Sequence, residues 1–124
     1  MSQKTSKITG WILTIILGLL LAMSAFLKVT QNEIAMAQAA AIGINATTYQ
    51  VIGIIEVISL ILFIIPRTGI IGVLLLAAYL GGAIVTHVQH QQPIAMPVIV
   101  QIVVWITAFI RFPELKQRLL PTND

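Results

Sequence analysis

An all-α fold, a four-transmembrane-helix bundle with a short extracytoplasmic surface helix between helices 1 and 2, is predicted by three features of this sequence. Of 124 residues, 58% are hydrophobic and only 9% are charged, with a mean hydropathy of +0.99. A soluble domain of this size needs more charge to cover its surface. The apolar residues also gather into four runs, each about long enough to cross a ~30 Å hydrocarbon core at ~1.5 Å per residue. Helices follow because lipid offers the backbone no hydrogen-bond partner, and four strands are too few to close a barrel.

The runs are taken in order, as one integral membrane domain over residues 1–124. The first is ITGWILTIILGLLLAMSAFLK, residues 8–28. A cleaved secretory signal ending at Ala39 competes for this stretch. The apolar run exceeds the roughly 7–15 residues of a signal core, and Lys28 interrupts it before the small residues. Next, TQNE reads as a capping box with Thr30 at the N-cap and Glu33 three residues on. IAMAQAAAI favours helix and Gly43 stops it, so a short helix is expected over residues 31–42, lying across the outer surface. Thr47 and Gln50 offer a second cap, opening the run at residues 49–65, which Pro66 ends. Pro66-Arg67-Thr68 makes an antiparallel hairpin with the third run, residues 69–88, and the fourth spans residues 95–111.

Charge orients the bundle. Lys4, Lys7, Arg67, Arg111, Lys116 and Arg118 fall on one side and Lys28 alone on the other. The positive-inside rule then places both termini in the cytoplasm of a bacterial plasma membrane. This distribution explains the pI near 9.7 better than a nucleic-acid partner, which is not expected. Cysteine is absent, which excludes disulfide and thiolate chemistry.

Polar side chains concentrate in the outer half of all four helices. Ser24 and Lys28 are four residues apart on one face, and Glu56 lies about 10 Å down the second helix. Tyr79, Thr86, His87 and Gln101 complete the group, while the inner half holds little beyond Thr14 and Thr107. A carboxylate in hydrocarbon costs roughly 2.5–3.5 kcal/mol even on the lenient insertion scale. Glu56 therefore needs a partner, and Lys28 is the candidate. The pair either pins helix 1 to helix 2 or anchors an outward-facing polar site walled by Lys28, Glu56, Tyr79, His87 and Gln101. Ala77, Ala78, Gly81 and Gly82 have the small-residue spacing of close helix packing. His87 and His90 are three apart but lack a third ligand, so no metal site is expected. No nucleophile–base pair, phosphate loop or haem-attachment motif is present, so catalysis by this chain alone is not expected.

SAFLK, IGIIEV, IPRTG, LLLAAYLGGAIVTH and the closing W…RFPELKQRLLP resemble the DoxX-like family of small four-helix integral membrane proteins. The resemblance spans nearly the whole chain, and YLGGA-x-x-TH is its most specific part. It implies Lys28, Glu56, Arg67, Tyr79, Thr86 and His87 as characteristic polar positions. The SGxxK form common in the family stands here as Ser24-Ala25-Phe26-Leu27-Lys28, so a glycine is lost where helix 1 packs. Relatives are linked to quinone chemistry and oxidative stress, others to assembly of membrane receptors. The leading expectation is an accessory protein binding a lipophilic ligand, with a quinone as the cofactor class and Trp105 beside its tail. An assembly or chaperone-type module for a larger complex is the alternative, and a proton-coupled transporter using Glu56 is the weakest reading. Expected partners are the lipid bilayer, a lipophilic small molecule, and a membrane protein or second copy of the chain.

Overall fold

The computed structural model describes residues 2–121. It contains helices α1 (Gln3–Val29), α2 (Glu33–Ala41), α3 (Ala46–Ile64), α4 (Gly69–Gln89), α5 (Ala95–Arg111) and α6 (Pro113–Leu119), with a 3-10 turn over Pro66–Thr68. No strand occurs among the described residues. Three helices are long and apolar enough to cross a membrane: α1, α3, and α4 taken with the turn before it. The 17-residue α5 reaches that length only together with α6, from which it is bent by 109°. Phe112, at φ −122° and ψ 85°, makes the break, and Pro113 opens α6.

The four long helices form a ring in which α1 and α4 each pack on both α3 and α5. The core between them holds Leu17, Leu21, Phe63, Val73, Leu76 and Val104. The opposite faces remain apolar and open, as at Ile15, Leu19, Ile58 and Leu74. Apolar on both sides, these helices suit a lipid solvent rather than water. Three buried hydroxyls bond within their own helices. Thr14, Ser59 and Thr107 each donate to the carbonyl four residues back on their own helix, at 2.7, 2.8 and 2.7 Å.

Helix ends differ from the sequence expectation where side-chain caps compete. The first helix starts at Gln3, because the Ser2 hydroxyl accepts from the Thr5 amide at 3.1 Å. Thr30 does not cap α2: α1 runs on to Val29, and the Thr30 hydroxyl bonds back to the Phe26 carbonyl at 2.7 Å. Gln31 takes φ 53° to turn the chain. Asn32 then caps α2, accepting from the Ile34 amide at 2.9 Å. Asn45 rather than Thr47 caps α3, accepting from Thr48 at 2.8 Å. Gln50 instead donates to the Val29 carbonyl at 2.8 Å and closes the end of α1.

At nine residues, α2 is too short to cross a membrane. Ala35 and Ala39 seat it on Ile42 and Tyr49 in a small second cluster, with Leu27 and Ile52 alongside. The first turn of α3 and α2 therefore pack together as a cover at the Lys28 end of α1.

Candidate functional site

Beneath that cover lies a cluster of buried polar groups. Lys28 and Glu56 are 5% and 0% exposed, and Lys28 Nζ donates to Glu56 Oε1 at 2.9 Å. The same ammonium donates to the Tyr79 hydroxyl at 3.0 Å and to Ser24 Oγ. Its three protons are thus all engaged. The Tyr49 and Tyr79 rings stand 5.3 and 5.7 Å from the ammonium, adding a cation–π attraction that grows in a water-poor site. Ser24 Oγ also donates to Glu56 Oε1, at 3.4 Å. The second carboxylate oxygen, Glu56 Oε2, is buried with no hydrogen-bond partner.

Backbone approach makes this meeting possible. A methyl group at Gly53 would stand 2.7 Å from Lys28 Cβ and 3.2 Å from the Ala25 carbonyl. Gly53 lies one turn before Glu56 and faces the same helix. Close packing of α1, left in doubt by the alanine in Ser24-Ala25-Phe26-Leu27-Lys28, is supplied from the α3 side instead.

The cluster forms one wall of a cavity of about 820 Å³ lined by all four long helices and by Gln38 of α2. Thr86 and His87 also line it. His87 Nδ1 lies 2.6 Å from the Ala83 carbonyl, so Nδ1 carries a proton and donates it there. The remaining lining is aliphatic, as at Leu20, Leu75 and Val100.

Five expected positions take other places or roles. Gln101 does not join Lys28; its amide donates to the Ala77 carbonyl at 3.2 Å, holding α5 to α4. Trp105 packs edge-on against Phe109, with ring centroids 6.2 Å apart, outside the cavity lining. Arg67 is exposed in the 3-10 turn and makes no side-chain hydrogen bond or ion pair among the described residues. Gly81 and Gly82 are not helix-packing glycines, since an added methyl at either meets nothing within 4 Å. Gly82 lines the cavity, and its missing side chain is part of that space. Close contact in α4 belongs to Gly72, where a methyl would fall 2.2 Å from the Phe63 backbone nitrogen.

Three residues with clear roles escaped the sequence reading. Tyr49 and Gly53 are detectable in principle, at seven and three residues before Glu56 on the same helical face. In the sequence Arg111 signals only membrane orientation. Its guanidinium donates to the Phe63 and Ile64 carbonyls at 2.8 and 3.0 Å, closing the end of α3. It also lies 4.7–5.2 Å from the Trp11, Phe63 and Phe112 rings.

The sequence model of the DoxX-like family matches residues 12–109. Neither the curated proteins nor the solved structures give a match. The matched stretch contains every residue of the buried cluster and the four long helices over most of their length.

Proposed function

We propose that this chain, which belongs to the DoxX-like family, is a small accessory membrane protein that holds a lipophilic ligand with an oxygen-bearing head. The observation that carries the reading is the largely apolar cavity with a few polar groups in its lining. A volume of about 820 Å³ falls in the range of small-molecule sites, which combine apolar lining with few convergent polar groups. Lys28 has no proton left for a ligand, so the tyrosine and the acid set the chemistry. The Tyr79 hydroxyl accepts from Lys28 and keeps its own proton to donate. Glu56 Oε2 is a buried acceptor without a partner. A donor beside an acceptor suits the carbonyl and hydroxyl heads of the quinone class, which supplies electron-carrying chemistry when bound. The redox or stress association of the protein belongs to the same reading.

Native mass spectrometry after lipid-preserving extraction, with added short-chain benzoquinone, tests this reading. The parent chain is expected to retain the quinone. Gly82→Leu should abolish retention by filling the cavity while leaving thermal stability within about 0.5 kcal/mol of the parent. Equal retention by both chains, or a co-purifying protein in place of a small molecule, would favour the assembly reading.

The same reading sets one domain across the membrane four times, with α5 as the fourth crossing and α2 on the outer surface. The described chain ends lie together at the end of the bundle remote from Lys28, and the basic residues there support cytoplasmic termini in a bacterial plasma membrane. A reporter joined after Asp124, outside the described residues, should be active only in the cytoplasm; activity outside would reverse the orientation.

A further inference from the structure

A second cavity, of about 1100 Å³, lies where the start of α1 meets α6 and the turn before α4. Three cations line it, Lys7, Arg111 and Lys116, together with the polar Ser6 and Gln117. Among the described residues no acidic side chain lines it; Glu114 is exposed and outside it. Neither lysine has an ion-pair partner among the described residues. Arg111 engages one proton with each of two carbonyls, and three of its five N–H groups remain. Like charges gathered around one space repel each other unless an anion enters.

The surroundings choose among anions. Trp11 lines the cavity and is 39% exposed, and Ile8 and Ile12 beside it are about half exposed. Ile15 and Leu19 extend that apolar face along α1. The α6 helix, turned by 109° from α5, adds exposed Leu119 and Leu120. A basic recess continuous with an apolar helix face suits a molecule that is anionic at one end and aliphatic at the other. We propose that this cavity binds the phosphate-ester headgroup of an anionic phospholipid, with Lys7, Lys116 and the free edge of Arg111 as its donors. The acyl chains then run past Trp11 along α1. This site is separate from the lipophilic-ligand cavity and does not rest on it.

The test uses the full chain in nanodiscs of equal phosphatidylglycerol and phosphatidylcholine, with native mass spectrometry of the lipid retained on release. The parent chain should keep one phosphatidylglycerol in preference to phosphatidylcholine. Lys7→Gln with Lys116→Gln should lower that retention about thirtyfold, given the strength of attraction of two lysines to anionic lipid. The control, Lys4→Gln with Arg118→Gln, removes the same charge from outside the cavity and should retain the lipid. Equal loss in both double variants would reduce the effect to general surface charge and overturn the proposal. Equal retention of the two lipids would overturn it as well. Displacement by millimolar inorganic phosphate alone would reassign the recess to soluble phosphate and away from lipid.

Discussion

A buried lysine and a half-buried arginine hold the opposite ends of this bundle, and they are neutralised by different means. Arg111 uses no acid: two carbonyls at the end of α3 accept its protons and three aromatic rings surround its plane. Those carbonyls sit at the negative pole of the helix, so the cation is placed where the backbone already favours it. Lys28 is matched by a carboxylate drawn into the middle of α3, ten residues after its first residue, Ala46. Anchoring a helix therefore does not require an acid in this fold. At the Lys28 end the acid belongs to the lining of a cavity and keeps one oxygen unpartnered, which is the basis of the ligand site proposed above.

The sharpest way to break the comparison is to remove one charge at a time. Lys28→Met leaves Glu56 buried and alone, and should cost about 3–5 kcal/mol. Lys28→Met with Glu56→Gln removes both charges and should cost clearly less, which a double-mutant cycle read by thermal melting in detergent will show. Additive losses would mean that the two side chains act independently despite their 2.9 Å contact.

Arg111→Lys probes the other end and should cost about 2–3 kcal/mol. A lysine keeps the charge but cannot fork onto two carbonyls while lying flat among the rings. If melting shows no loss, charge alone suffices there and the contrast between the ends disappears.

Gly53→Ala is the mildest test, about 1–2 kcal/mol from crowding against Lys28 Cβ. It should also weaken the coupling between Lys28 and Glu56 while leaving the cost of Arg111→Lys unchanged. A uniform loss at both ends would mean that α1 and α3 move as one rigid unit.

Much of this was legible in the sequence, for a physical reason. Hydrophobic run length and the cost of a carboxylate in lipid are one-dimensional signals, so the long helices and the Lys28–Glu56 partnership could be read without coordinates. Contacts that depend on helix rotation could not. Gly82 and Gly72 look alike in a string of small residues, yet one borders open space and the other touches the Phe63 backbone. Gln101 shares a depth with Tyr79 but faces the Ala77 carbonyl, because depth says nothing of azimuth. Cap choice failed at Thr30 and Thr47 because an asparagine stood within two residues of each and made the bond first.

The Lys28–Glu56 contact also bears on how the chain enters its membrane. During synthesis α1 emerges first, and Lys28, next to its last residue, waits within one turn of water. Glu56 has no such exit, since it must travel in the middle of α3. Its entry is easiest when α1 is already alongside with the ammonium held out to receive it. The two helices then cross as a hairpin whose only deep charges cancel, and the chain's own order of manufacture supplies the counter-ion before the ion.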